Sequence, residues 1–300
     1  MRKIQIITDS CSDLTPELMA RYGIDYVRMN TVYQGKTEQA DLAWSKEDVH
    51  ALYDRMRKGE RVTTTQVPVE EFNRVFRIYL EQECDIVYVG CSSKQSGSVN
   101  TAGVLARKLM EEYPGSRIAC VDSRHASMGE GMLAIDAAMA AVEGKSVDEI
   151  ISLVEERSCH LHQFATVHTL DALRRAGRVK ASSAFFGNLL GVKPIVVADA
   201  DGEQAAFKKA KGRAASLREI VALLKEHITE AEEQTVYLAH SDCSPEEVET
   251  VRELVRQQIP CKDIYVGVIG PIIGASIGPD AVAVFGYGKE ITFKIGDRQA

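Results

Sequence analysis

With 300 residues, 45% of them hydrophobic and 26% charged, the chain can bury one large or two modest cores, and its composition is that of a folded protein, neither disordered nor fibrous. Its 43 acidic residues against 36 basic ones leave a net charge of −7, which argues against a general polyanion-binding surface, because phosphate neutralisation needs a basic face. The longest uncharged stretch, residues 264–279, holds four glycines and two prolines and cannot span a bilayer.

Short β-branched runs alternate with longer segments of helical period, the pattern of an α/β protein. The amino terminus, MRKIQIITDS, reaches Asp9 too soon for the apolar core of a secretory signal peptide, so a cytoplasmic protein is expected. A strand is predicted over 3–8, and Thr15-Pro16-Glu17 then opens a helix with Thr as its cap and Pro at its first position. A helix over 69–80 leads to a strand at 85–90, a helix over 99–110 to a strand at 117–121, and helices follow at 126–142 and 147–160. Strands are expected at 164–167, 194–198, 235–240, 263–268 and 281–285, with helices over 214–230 and from Ser244-Pro245-Glu246-Glu247. Several strands read as near-continuous apolar runs, which favours parallel or mixed sheets covered on both faces. A composition shift near residue 160 divides the chain into two α/β domains, 1–160 and 161–300.

Seven cysteines, an odd number without a C-x-x-C pair, read as reduced thiols, most of them small core residues. Gly129-Glu130-Gly131-Met132-Leu133-Ala134 fits the loose dinucleotide pattern, yet seven residues separate it from the preceding strand, so its small residues are read as close packing of a helix on the sheet. Gly144-Lys145-Ser146 reads as a helix stop followed by a Ser cap. Cys159, His160 and His162 lack a second cluster to complete a metal site; His162 and His168 are expected at surface or capping positions, and no metal is expected. Gly274-Ala275-Ser276-Ile277-Gly278 follows a strand and matches the nucleophile elbow, although no His comes after His240. It reads either as a Ser-dependent esterase turn or as a turn whose glycines bring backbone N–H groups close to a ligand.

Three loops in the first half are dense in small hydroxyl residues: Thr8-Asp9-Ser10-Cys11-Ser12-Asp13, Thr63-Thr64-Thr65-Gln66-Val67-Pro68 and Ser92-Ser93-Lys94-Gln95-Ser96-Gly97-Ser98. In open α/β sheets ligands sit at the carboxyl ends of the strands, where helix N-termini present free N–H groups. Hydroxyls there can hold a carboxylate or phosphate without a fixed cation, through charge-assisted hydrogen bonds. Taken singly, each Ser or Thr also reads as an N-cap for the helices beginning near Val69 and Val99. Residues 182–194 group Phe185, Phe186, Leu189, Leu190 and Val192 around Gly187 and Gly191, either lining a pocket or filling the core.

In order and spacing these segments resemble the DegV family of bacterial fatty-acid-binding proteins. The matching blocks are Ile7-Thr8-Asp9-Ser10, Thr64-Thr65-Gln66, the 92–98 loop, Val121-Asp122-Ser123, and Ser127-Met128-Gly129-Glu130-Gly131. They continue with Thr169-Leu170, Arg175-Ala176-Gly177-Arg178, Gly187-Asn188-Leu189-Leu190, Lys193-Pro194, Ile269-Gly270-Pro271-Ile272-Ile273-Gly274 and Gly278-Pro279. The resemblance implies two α/β domains with a lipid pocket between them, burying a long acyl chain and leaving its carboxylate near the hydroxyl loops. It implies no cofactor and no chemistry by the binder itself: a separate fatty-acid kinase phosphorylates the carboxylate for phospholipid synthesis. Nucleic-acid binding and membrane insertion are not expected. Carried over position by position, Thr64 and Ser93 are carboxylate contacts, with Thr65 and Ser96 beside them. Arg175 and Arg178 match a basic turn that would face the kinase or the transferring phosphoryl group. In the family's last loop, usually Gly-Thr-His-Thr-Gly-Pro-Gly, Ser276 stands here at the His position and Asp280 at the final Gly. Ser276 retains a donor for the carboxylate, whereas Asp280 would repel an anion if it points inward. The family's Lys-x-Arg-Gly turn is Lys209-Ala210-Lys211-Gly212, a point charge in place of a planar donor. Both departures leave room for a diverged carrier of another carboxylate.

Overall fold

The computed structural model describes residues 2–181, 185 and 191–295. The chain forms two compact units, one from the residues up to Ala43 together with Thr64–Ser158, the other from Trp44–Thr63 together with the residues from Cys159 on. The segment Trp44–Thr63 thus lies in the second unit, a placement that a single division at residue 160 does not contain.

The first unit is built on a parallel sheet in the order β2-β1-β6-β7, formed by Ile4–Asp9 (β1), Asp25–Val27 (β2), Asp85–Gly90 (β6) and Ile118–Asp122 (β7). Its central strands are buried almost end to end, as expected for apolar runs covered on both faces. The covering helices are Pro16–Tyr22 (α1), Val69–Leu80 (α3), Ser98–Glu112 (α4), Met128–Val142 (α5) and Val147–Ser158 (α6). Thr15 caps α1 through the Leu18 N–H, with Pro16 at the first turn, as its sequence predicts. Under α3 and β6, Phe72, Phe76 and Tyr88 pack tilted or edge-on with centroids 5.2–6.4 Å apart.

A small second sheet, β4-β3-β5, joins Asn30–Tyr33 (β3), Lys36–Gln39 (β4) and Thr63–Thr65 (β5). The β3–β4 hairpin turns on Gln34 and Gly35, both at positive φ (48° and 77°), the backbone hand that matches the twist of two antiparallel strands. Of its hairpin strands β3 is half-buried throughout and β4 polar and exposed, so they carry no hydrophobic alternation by which to be recognised.

The second unit has a mixed sheet in the order β10-β9-β8-β13-β11-β12. Its strands are Leu161–Thr166 (β8), Val192–Ala198 (β9), Gln204–Lys211 (β10), Thr235–His240 (β11), Asp263–Val268 (β12) and Val282–Tyr287 (β13), and β11 with β12 is its one parallel pair. Arg213–His227 (α8) and Pro245–Gln258 (α9) bury Leu217, Ile220, Leu224, Val251 and Val255 against Phe164, Val236, Leu238 and Val284 of the sheet. Parallel and mixed sheets with helices make both units α/β, as the alternation of the sequence implies.

Three further helices of the second unit are not apparent in the sequence: Lys46–Arg57 (α2), Asp171–Ala176 (α7) and Pro271–Ile277 (α10). The α2 helix starts on a capping box between Ser45 and Asp48, and its Tyr53, fully buried, donates a hydrogen bond to the Ile269 carbonyl (2.7 Å). Of the 182–194 segment, residues 182–184 and 186–190, with Phe186, Gly187, Leu189 and Leu190, lie outside the described residues. Phe185 sits under the Lys209 ammonium, 4.9 Å from ring centroid to Nζ, and Val192 begins β9.

All seven cysteines are free, and Cys11, Cys84, Cys91 and Cys243 are buried. No helix among the described residues is long and apolar enough to cross a membrane.

Candidate functional site

In the first unit, β1, β6 and β7 run parallel and end on the same side, so the loops that leave them are neighbours. Asp9, the last residue of β1, ties two of these loops together. Its Oδ1 accepts the Cys11 N–H (2.8 Å), and its Oδ2 accepts the Tyr88 hydroxyl (2.6 Å) and the Cys91 N–H (3.2 Å). The β6 loop is held in turn to the β7 loop: Ser92 N–H donates to the His125 carbonyl (2.8 Å) and Ser93 N–H to Asp122 Oδ1 (3.2 Å). The segment after β5 joins the same network, with Gln66 Nε2 donating to Thr101 Oγ1 (2.9 Å) and Val67 N–H to Ser98 Oγ (3.2 Å).

The structure sorts the hydroxyl residues into two kinds. Thr8, Ser10, Ser12, Ser92, Ser98 and Ser123 are buried. Ser10 accepts the Met29 N–H (2.9 Å) and Ser123 the His125 N–H (3.1 Å), so these side chains hold loops in place. Thr64 and Ser93 are half-buried, and among the described residues their hydroxyls make no hydrogen bond. Ser96 shares one with Ser98 (2.9 Å), and Thr65, exposed, accepts from Asn30 Nδ2 (3.2 Å) and donates to the Gln66 carbonyl (3.3 Å). Beside them the fifteen-residue helix α4 begins after its cap residue Gly97, and its first N–H, Ser98, donates to Ser96 Oγ (3.3 Å). Two uncommitted hydroxyls next to a helix N-terminus form a donor set suited to a small anionic head.

Beneath the loops lie two acids in contact. Glu130, on α5 and fully buried, accepts the Thr8 hydroxyl at Oε1 (2.8 Å). Burial together with the neighbouring Asp9 charge pushes its carboxyl well above the usual range. Asp9, with three donors, is the better home for the charge, and Glu130 for the proton. Burial also holds His125 neutral, pushed down to about 4, with Nε2–H donating to the Ser158 carbonyl (3.0 Å) and a buried Nδ1 without a partner. A base whose affinity for protons is lower in the folded state loses stability as pH falls from its ordinary 6.5 towards 4. His125→Gln should therefore flatten the acid limb of the stability curve, removing a loss on the order of 2 to 3 kcal/mol between pH 7 and 4. Chemical denaturation across that range would show an unchanged slope if His125 does not titrate there.

Glu130 lies in the segment that imitates a dinucleotide motif. The glycines on either side have a packing role: a Cβ at Gly131 would come within 2.8 Å of the Ser12 carbonyl oxygen, and one at Gly129 within 3.1 Å of His125 Cβ. The close helix packing read from the sequence is what the structure has. The sequence signals for Glu130 itself are its place in the family-matching block 127–131 and its being one of two acids, with Asp136, in an otherwise small and apolar helix.

In the second unit, Ser276 is half-buried inside α10, which begins at Pro271 after β12 ends at Val268. The nucleophile elbow needs its Ser on the tight turn between strand and helix; here it stands near the helix end, so the elbow reading is corrected. Asp280, at positive φ (61°), accepts Arg57 Nη2 (2.6 Å), which neutralises the charge that its sequence position made a concern. Arg175 and Arg178 are exposed on either side of Gly177, the left-handed cap (φ 69°) that ends α7. His162 is also corrected: it is buried, stacked on Phe164 at 5.7 Å, with Nε2 2.8 Å from the Lys289 carbonyl. His160 Nδ1 meets the Gly288 carbonyl (3.0 Å), while His168 is exposed beside Lys193 Nζ (3.0 Å).

Across residues 3–289 the chain matches the sequence profile of the DegV family, described as uncharacterised proteins. A DegV domain-containing protein of Clostridium perfringens is 38% identical over 288 residues, spanning 96% of this chain and 98% of its own. The structure of a DegV family protein from Thermus thermophilus, described for its fatty-acid binding, superposes with a TM-score of 0.85 at 28% identity, covering 96% of this chain and all (100%) of its own. DegV of Bacillus subtilis, described as a fatty-acid-binding protein, has the same fold (TM-score 0.81, 23% identity, 96% of this chain and 100% of its own).

Proposed function

The chain belongs to the DegV family, and from that premise we propose that it binds a long-chain fatty acid and presents the carboxylate to a separate fatty-acid kinase. The observation that carries the reading is the pair of half-buried, uncommitted hydroxyls of Thr64, within β5, and Ser93, in the β6 loop that leads into α4. They orient the head, with Ser96 and Thr65 as neighbours. Affinity comes from the tail: some fifteen methylene and methyl groups at roughly 0.8 kcal/mol each give a gross term on the order of 12 kcal/mol before ordering costs. The acyl-phosphate chemistry belongs to the kinase, and Arg175 and Arg178, both exposed, are the residues proposed to face it or the transferring phosphoryl group.

Native mass spectrometry of the purified protein should reveal a copurified acyl ligand, and the delipidated protein should bind palmitate or oleate. Recovery of no lipid, with no binding of either acid, would sink the proposal. Ser93→Ala and Thr64→Ala should each weaken binding by about 0.5–3 kcal/mol, the range for losing a hydrogen bond to a charged group. Unchanged affinity in both would refute the head-group assignment while leaving acyl binding standing. Substituting Arg175 and Arg178 together should slow phosphorylation of the bound acid by the kinase at unchanged fatty-acid affinity; an unaltered rate would remove the basic turn from that role.

A further inference from the structure

We propose that Cys11, Cys91 and Glu130 form a buried site for a thiophilic divalent cation of the zinc class. The three residues come from separate elements, the β1 loop, the β6 loop and α5, and converge with their ligand atoms within 4.8 Å of one another. Two sulfurs and a carboxylate oxygen on one tetrahedral Zn2+ would stand about 3.5–3.8 Å apart, from bond lengths of roughly 2.3 and 2.0 Å, so closure needs pairs of ligand atoms to approach by about 1.3 Å at most, shared between two side chains. Met29 Sδ, 3.6 Å from Cys11 Sγ, adds a fourth soft atom to the surroundings.

A second and independent observation points to a ligand here. Glu130 is 0% exposed, yet its Oε2 has no hydrogen-bond partner. Such an oxygen is costly to bury alone, and if protonated its one neighbouring acceptor is the Asp9 carboxylate. Asp9, the nearest alternative, already has its oxygens engaged by three donors. A cation held by Cys11 and Cys91 would meet a Glu130 carboxylate oxygen and leave one position of the tetrahedron open. On binding, the two thiols and the Glu130 carboxyl give up their protons to solvent, so uptake would release acid and strengthen with pH. The chemistry is ligation only and needs no oxidant. The bound ion would join the β1 loop to the β6 loop two residues before Ser93, reinforcing the link that Asp9 already makes.

Cys11 and Cys91 are 3% and 2% exposed, so loading should occur as the chain folds. The test is expression of the full chain in medium supplemented with Zn2+ and, separately, with Co2+, purification without chelator, and metal analysis of the product. About one ion per chain and a thiolate-to-cobalt charge-transfer band are expected. Cys91→Ser and Cys11→Ser should abolish the band and lower retained metal at least about tenfold. Because a serine at either place could disturb folding, Glu130→Gln supplies the second arm. It is isosteric, keeps an acceptor for Thr8, and should weaken zinc retention at an unchanged circular dichroism spectrum. Substoichiometric metal in the parent protein, a cobalt form without the thiolate band, a Cys11–Cys91 disulfide in its place, or retention unaltered by all three substitutions would each overturn the assignment. Metal content should be the same before and after delipidation, which separates this result from the fate of the fatty-acid reading.

Discussion

Asp9→Ala should destabilise the first unit by roughly 3 kcal/mol or more. The carboxylate accepts from Cys11 N–H, Cys91 N–H and the Tyr88 hydroxyl, and Asp9, Tyr88, Cys11 and Cys91 are all 3% exposed or less. Removing the acceptor strands three buried donors, at about 1–3 kcal/mol each. Asparagine is not a conservative replacement, because its amide NH2 can serve as acceptor to none of the donors that Oδ2 now serves. Amide exchange gives the decisive measurement: Cys11 and Cys91 should lose protection in Asp9→Ala and Asp9→Asn alike. A variant within 1 kcal/mol of the parent, with both amides still protected, would show that the loops are held by something other than this carboxylate. The same loops carry Ser93, so fatty-acid binding should fall along with stability.

Tyr53→Ala should cost the second unit about 3–5 kcal/mol, the range for truncating a fully buried aromatic side chain. Tyr53 is the largest buried residue of α2, and its hydroxyl fixes the Ile269 carbonyl ahead of α10. Gly274 presents bare backbone to the phenol ring, and a Cβ there would collide with the Tyr53 hydroxyl. Gly274→Ala should therefore damage the same contact from the other side. Tyr53→Phe keeps the ring and loses one bond, for about 1–2 kcal/mol. Arg57 would still hold the end of α2 through Asp242 (2.7 Å) and Asp280 (2.6 Å), and half-exposed ion pairs of this kind contribute little by themselves. Limited proteolysis should then find a new cleavage region within residues 44–63 in Tyr53→Ala. Parent-like resistance would mean that α2 stays docked without its anchor.

Much of the framework is legible in local chemistry. The apolar runs at 85–90, 235–240 and 263–268 are strands at those boundaries; two-sided burial explains the continuous signature of 85–90, whereas 263–268 keeps it as a half-exposed edge strand. Val69–Leu80 is a helix with Phe72, Val75, Phe76 and Leu80 on its buried side, the 3.6-residue period made real. Ser244 caps α9 with Pro245 at its first turn. The hairpin of β3 and β4 escapes such reading because its polar strands are defined by backbone pairing and one two-residue turn. Helix α10 escapes it because Pro and Gly, which mark a turn in most settings, here form a start and a close approach to Tyr53.

The candidate site divides along the same line. By itself the sequence determined that hydroxyl residues crowd the carboxyl ends of the strands, because alternation places the loops and composition fills them. Which hydroxyls are structural and which are free was decided by tertiary structure alone: Ser10 and Ser98 are consumed by backbone N–H groups at Met29 and Val67, whereas Thr64 and Ser93 are not. Only the fold makes Glu130 a buried partner of Thr8, 122 positions away, and neutralises Asp280 with Arg57, 223 positions away. Periodicity and capping are properties of neighbours along the chain and can be read from it. Proton affinity, orphaned polar atoms and ion pairing depend on which distant groups exclude water from one another, and that is settled only when the chain has folded.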